Sequence, residues 1–185
     1  MKIAVLSGKG GAGKTFTAVN LAAAAEKSVY IDCDVEEPNG HLFFKPQEIQ
    51  KEEVTTKLPE FDPEKCNGCK ACVELCKFHA LIYIKEKPKV FQEVCHACGS
   101  CSLVCPNQAV REKERQVGML EMGSHGDVRV ITGILNLGEA SAVPVIKKAL
   151  QKGNSKEKNI IIDCPPGSAC SVMESIEDAD YCLLV

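Results

Sequence analysis

The sequence predicts an α/β fold: a parallel sheet flanked by helices, interrupted by a small cysteine-rich α+β insert. Three observations lead there. Short apolar runs at residues 2–6, 28–32 and 159–163 are interspersed with helical stretches, the pattern of buried parallel strands joined by crossover helices. A glycine-rich loop, Ser7-Gly-Lys-Gly-Gly-Ala-Gly-Lys-Thr15, follows the first run directly. Eight of the twelve cysteines crowd into two tight clusters between Cys66 and Cys105.

Composition sets the bounds. With 185 residues, 45% of them hydrophobic, the chain can bury one substantial core, or a medium core plus a small autonomous module. A formal net charge of -3 gives no global basic field, so neither nucleic acid nor an anionic membrane is expected as a partner. No apolar run approaches the roughly 18 residues of a membrane span, and Met1 to Leu6 is too short for a signal peptide's apolar region. A cytoplasmic location follows as the expectation. There, tightly clustered cysteines serve metal ligation rather than disulfides.

In chain order, Lys2 to Leu6 reads as a strand, Thr15 to Lys27 as an alanine-rich helix, and Ser28 to Asp32 as a second strand before the turn Glu37-Pro38-Asn39-Gly40. From Gln47 to Leu58 the composition turns polar without clear periodicity, and Pro59 and Pro63 flank a boundary. The expected division is residues 1–57, an insert at 58–115, and the returning α/β part at 116–185. Arg111 to Arg115 reads as a solvated exit from the insert, and Asp127 to Ile131 as a strand. Ser141 can cap a helix that carries Pro144 in its first turn and runs to about Gln151. Asn159 to Asp163 is a strand, Ser168 to Glu177 a helix, and Tyr181 to Val185 a last strand. A chain that stops inside an apolar strand is expected to be a truncated piece of a longer protein.

The loop Gly8-x4-Gly13-Lys14-Thr15 fits the P-loop pattern G-x-x-x-x-G-K-[ST], between a predicted strand and a predicted helix as that pattern requires. Backbone N–H groups from Gly8 through Gly10, Gly11, Ala12 and Gly13 to Phe16 can converge on phosphates, aided by the helix N-terminus. Lys14 is expected on the β- and γ-phosphates of ATP, and the Thr15 hydroxyl on Mg²⁺. Asp32 and Asp34 end one strand and Asp163 another, on the side where open α/β sheets bind ligands. A lone strand-end aspartate is ordinarily a cap or turn former. Three of them near one phosphate loop point instead to metal or water positioning.

Lys9 is surplus to a one-lysine phosphate loop. The stretches Lys9-Gly-Gly-Ala-Gly-Lys-Thr15, Asp32-Cys-Asp34 and Asp163-Cys-Pro-Pro-Gly167 resemble the deviant Walker A, Walker A′ and Walker B/switch motifs of the MinD, ParA and nitrogenase iron protein class of P-loop ATPases. The resemblance implies that Lys9 is a signature lysine reaching the partner's phosphates across a nucleotide-dependent homodimer. It implies also that Asp34 helps position the attacking water, that Asp163 supports Mg²⁺, and that Gly167 senses the γ-phosphate. On residue type alone, Lys9 would be a solvated loop lysine.

The cysteines form an internal repeat. Cys66-x2-Cys69-x2-Cys72-x3-Cys76 recurs as Cys95-x2-Cys98-x2-Cys101-x3-Cys105, followed by Pro106, and the spacing matches the bacterial ferredoxin run. In that run the fourth cysteine ligates the other cluster. One 4Fe–4S cluster is then expected on Cys66, Cys69, Cys72 and Cys105, and a second on Cys95, Cys98, Cys101 and Cys76. Zinc is the competing metal for any C-x2-C pair. Lys77 stands where the second copy has Pro106, a departure at a non-ligand position. Cys33, Cys164, Cys170 and Cys182 read as small buried hydrophobes, and His96 as a residue able to tune a cluster through a hydrogen bond.

Together the motifs resemble a MinD-type ATPase carrying an inserted two-cluster ferredoxin domain. The resemblance implies a dimer, switched by ATP, that controls electron transfer through the clusters to an unidentified redox partner protein. A second reading is an iron-sulfur carrier in which ATP gates cluster delivery to an acceptor. A third is a MinD-like positioning ATPase with structural clusters.

Overall fold

The computed structural model describes residues 1–154 and 159–185. By contacts the chain forms two compact units: Met1–Val54 with Val117–Asn136 and Ala142–Val185, and Thr55–Gln116 with Leu137–Ser141.

The first unit is built on a sheet containing β1 (Lys2–Leu6), β2 (Ser28–Asp32), β3 (Gln47–Phe61), β6 (Val110–His125), β7 (Val128–Leu135), β8 (Asn159–Asp163) and β9 (Tyr181–Leu184). Its strand order is β3-β6-β7-β2-β8-β1-β9. Pairing is parallel from β7 through β2, β8 and β1 to β9, and antiparallel between β6 and β7. Every residue of β2 is buried because the strand has a partner on each side and helices above and below. Alternation then sorts its side chains. Val29 and Ile31 face a core shared with Ala4, Ile131, Ile160 and Ile162 and with α5 (Val143–Gly153). Tyr30 faces the other core, with Val5, Ile161 and the Ala18, Val19 and Ala22 face of α1 (Lys14–Ala24). Each fully buried Val or Ile contributes about 1.5–3 kcal/mol, so these two cores hold the ends of β1, β2 and β8 in fixed register.

Two local expectations are corrected. Residues 47–58, expected without regular periodicity, lie in β3, a strand whose first five residues are all exposed and whose burial comes late, at Val54, Leu58 and Pro59. Arg111 to Arg115 lie in β6, four of them exposed, in keeping with a solvated face. Helix α5 starts at Val143 with Ala142 at its N-cap, so Ser141 is not the cap; Pro144 supplies the preset first-turn geometry. Two elements without a sequence signal also appear: the short helix α2 (Gly40–Phe44), and the hairpin β4 (Leu81–Ile84) with β5 (Lys87–Val90). Helix α6 (Cys170–Ile176) falls within the span expected for it.

The second unit holds the cysteine repeat, with short helices α3 (Ala71–Leu75) and α4 (Ser100–Leu103) at equivalent places in the two copies. Copy two follows copy one by 29 positions, and the backbone repeats with it. Gly68 and Ala97 have φ of 73° and 51°, Lys70 and Gly99 have 63° and 73°, and His79 and Gln108 have 51° and 49°. The same left-handed turns therefore wrap each run, whether or not glycine occupies them. Among the described residues, no helix is long and apolar enough to cross a membrane.

Candidate functional site

Two separate sites emerge, one in each unit. In the first, strand β1 delivers the loop from Ser7 to Gly13, and Gly13, in the left-handed region, starts α1 at Lys14. The loop is anchored from below: the Ser7 hydroxyl donates to the Lys9 carbonyl at 2.7 Å, and the Gly167 N–H donates to the Ser7 carbonyl at 3.0 Å. A cavity of about 590 Å³ opens at the N-terminus of α1. Its walls include Gly10, Gly11, Gly13, Lys14, Thr15 and Phe16 on one side and Asp34, Glu36 and Glu37 on another. Exposed amides, a helix N-terminus and one cation make this a seat for an anion.

The aspartates divide into distinct roles. Asp32 is fully buried and lies beside Asp163 in the β2–β8 register. Its carboxylate accepts the N–H groups of Asp34 at 3.2 Å, Asn39 at 3.2 Å and Gly40 at 2.9 Å, so it shapes the 33–40 loop and is absent from the cavity wall. Burial, then the neighbouring Asp163 charge, pushes its pKa up to about 7. Asp34 lines the cavity; burial raises it to about 6 against the opposing pull of Lys14. Asp163 is raised chiefly by burial, while the Thr15 and Tyr30 hydroxyls and Lys14 favour its charged form. The Tyr30 phenol donates to Asp163 Oδ2 at 2.9 Å, and Oδ1 is buried with no protein partner. An unpartnered carboxylate oxygen on a residue whose charged form Thr15 favours fits a Mg²⁺ hydration shell, which Thr15 and Asp163 would hold. Bound there, Mg²⁺ would neutralise phosphate charge.

Gly8, Lys9, Ala12, Gly167 and the fully buried Asp163 stand outside the cavity wall, and the Lys9 side chain is exposed to solvent. Glu36, Glu37 and Tyr30 carry no signal in any motif. Tyr30 alone leaves a trace, as a hydroxyl inside an otherwise aliphatic buried run.

In the second unit, Cys66, Cys69, Cys72 and Cys105 line one small cavity of about 20 Å³. Another, of about 200 Å³, is lined by Cys95, Cys98, Cys101 and Cys76, with Cys72 also on its wall. The fourth cysteine of each copy thus joins the other copy's first three. Among the described residues, no three His, Cys, Asp or Glu side chains converge tightly enough for one metal ion. The thiols are instead distributed around a cavity.

Local chemistry in this unit suits thiolate ligation. The Ala109 N–H points to Cys105 Sγ at 3.2 Å, and Ser100 lowers the Cys98 thiol through hydrogen bonds. Burial raises Cys72 and Cys95, and raises Cys101 to about 11, so loading a metal group would release protons. The cavity walls differ at several equivalent positions, 83 and 112 among them. Tyr83 covers the first, its hydroxyl on the Gly68 carbonyl at 3.2 Å and the Lys70 ammonium 4.8 Å from its ring centre. Glu112 occupies the equivalent place at the second, paired with Lys57 at 3.3 Å. His96 stacks on Phe78 with ring centroids 3.8 Å apart. Cys33 and Cys164 are fully buried, as expected, whereas Cys170 and Cys182 are exposed, which corrects the expectation for that pair.

The chain is 32% identical over its whole length to an uncharacterized protein of Methanocaldococcus jannaschii, of which it covers 67%. A shorter stretch, 29% of the chain, is 51% identical to 18% of an iron-sulfur cluster carrier protein of Pyrococcus horikoshii. Among solved structures, the septum site-determining protein MinD from Pyrococcus horikoshii, complexed with Mg-ADP, aligns over the whole chain at a TM-score of 0.49 and 16% identity. The chain spans 56% of that MinD's length. The family model for the CobQ/CobB/MinD/ParA nucleotide binding domain matches residues 3–179. This protein belongs to the CobQ/CobB/MinD/ParA nucleotide-binding domain family.

Proposed function

We propose that this protein is an ATP-binding and ATP-hydrolysing iron-sulfur protein, in which a nucleotide-switched homodimer governs electron transfer through two 4Fe–4S clusters. The observation that carries the reading is the crossed gathering of the eight repeat cysteines. Two cavities each receive three cysteines of one copy and the fourth of the other, the arrangement of a two-cluster ferredoxin. On this reading Lys14, Thr15 and Asp163 hold ATP and Mg²⁺, Asp34 orients the attacking water, and Lys9, with its side chain in solvent, reaches a second subunit. ATP binding favours the closed dimer because the nucleotide has higher affinity for it, and that difference is what can act on the clusters.

The test is anaerobic purification of the longest available form, followed by iron and sulfide analysis and EPR after reduction. Stoichiometric iron and sulfide with a reduced-cluster signal support the reading. Zinc in place of iron overturns it.

A carrier function is the second reading, favoured by the partial likeness to the iron-sulfur cluster carrier protein of Pyrococcus horikoshii. Two complete four-cysteine sets favour retention of the clusters over their donation. Activation of an apo-acceptor enzyme with matching loss of this protein's own clusters would decide for the carrier.

A further inference from the structure

We propose that Tyr30 is a positioning residue for the Mg²⁺–nucleotide site: its phenol fixes the Asp163 carboxylate and ties it to the loop that carries Asp34. The inference rests on the nucleotide reading above and goes beyond its motifs.

Tyr30 is wholly buried in the middle of β2, its ring packed against Phe44 with centroids 5.1 Å apart. A buried hydroxyl is costly unless it is paired. Its neighbours in the strand, Val29 and Ile31, fill their positions without any polar atom. The Tyr30 hydroxyl is paired, and its partner is Asp163 Oδ2 at 2.9 Å, from a residue 133 positions away. This bond occupies one oxygen of the carboxylate and leaves Oδ1 as the oxygen without a protein partner.

The same hydroxyl end of the ring bears on the start of α2. A Cβ added at Gly40 would overlap the Tyr30 hydroxyl and adjacent ring carbons, so the phenol lies directly against the Gly40 backbone. The Gly40 N–H donates to Asp32, whose other oxygen accepts the Asp34 N–H. A continuous set of contacts thus runs from Asp163 through Tyr30 and Gly40 to Asp32 and Asp34. Partners in such an outer layer orient the ligands they touch, and their loss costs about 10–100-fold in metal affinity or activity.

The experiment measures ADP affinity of the whole chain with and without Mg²⁺. Tyr30→Phe keeps the Mg²⁺-free affinity and loses at least about tenfold of the Mg²⁺-dependent gain, while its ligand-free unfolding stays cooperative. Asp163→Asn shows a similar loss, and the double variant loses no more than Asp163→Asn alone, as two members of one interaction should. A Tyr30→Phe protein with the full Mg²⁺ gain, or additive losses in the double variant, overturns the inference. Should Tyr30→Phe not fold, Gly40→Ala gives the same test, because its methyl displaces the ring; an intact Mg²⁺ gain there is equally contrary. Wild-type protein that binds no ADP under either condition overturns the nucleotide reading and this inference together. Binding by wild type with an unaltered Tyr30→Phe overturns the inference alone.

Discussion

The Asp62 N–H, ahead of the first cysteine run, donates to the carbonyl of Ala109, behind the second, at 2.8 Å. Its equivalent 29 positions on, the Phe91 N–H, donates to the Ala80 carbonyl, also at 2.8 Å. The two copies are thus clasped crosswise, each entry strand to the other's exit, with Ala80 and Ala109 both buried at the clasp. Crossed ligation is what this connection favours. The expected outcome is that Cys76→Ala removes about half the iron, Cys76→Ala with Cys98→Ala removes no more, and Cys76→Ala with Cys69→Ala removes nearly all. Iron content and EPR spin counts read the result; loss of nearly all iron in the Cys76/Cys98 pair would place them on different clusters.

The two loop lysines should separate cleanly. Lys14 is 6% exposed and lines the cavity, whereas Lys9 presents its side chain to solvent. Lys14→Ala is expected to lower nucleotide affinity by at least about tenfold, the scale of one lost charge-assisted hydrogen bond. Lys9→Ala is expected to keep monomer binding while suppressing ATP-dependent dimerisation and hydrolysis. Titration calorimetry and sedimentation with ATP check both, and normal turnover in Lys9→Ala would return that residue to the solvated class.

Stability of the ligand-free protein should depend on pH through Asp32 and Asp34. Their folded pKa values, about 7 and about 6, lie above the ordinary 3.8, so between those limits the folded state binds more protons than the unfolded state. By linkage their contribution is full below about pH 4 and is lost as pH rises through 6 and 7. Melting curves from pH 4 to pH 8 should show this decline levelling off above about pH 7, and Asp34→Asn should make it shallower between about pH 4 and pH 6. An unchanged slope in that variant would contradict the origin given for it.

Repeat symmetry yields a stability prediction. Gly68 and Ala97 occupy equivalent left-handed turns, at φ 73° and 51°. An alanine there bears a steric penalty of about 1–2 kcal/mol, offset in part by the greater unfolded freedom of glycine. Ala97→Gly should therefore stabilise the protein by about 0.5–1 kcal/mol, measured by chemical denaturation. Gly68→Ala should destabilise it by more, because its Cβ would overlap the Tyr83 hydroxyl.

What the sequence made legible is chemistry compressed into contiguous residues. The phosphate loop and the cysteine runs carry their ligands at fixed short spacing, and β1, β2 and β8 are apolar because each has neighbours on both sides. Residues 47–61 escaped because β3 lies at the sheet's edge and leaves Gln47 to Lys51 exposed, so hydrophobic periodicity has nothing to record. Asp32 shows another limit. Its motif suits a ligand-facing acid, yet three backbone N–H groups claim it, and only the path of the 33–40 loop reveals that. Tyr30 and Asp163 meet through sheet order, across 133 positions that no local pattern spans.

The central claim is that nucleotide state acts on the clusters. Its most direct test is an EPR-monitored redox titration of anaerobically purified protein, without nucleotide, with Mg²⁺-ADP and with a non-hydrolysable ATP analogue and Mg²⁺. The account predicts two reduced-cluster signals, of which at least one shifts in potential or line shape with the ATP analogue, and no such shift in Lys14→Ala. Clusters whose signals and potentials are the same in all three nucleotide states would contradict it.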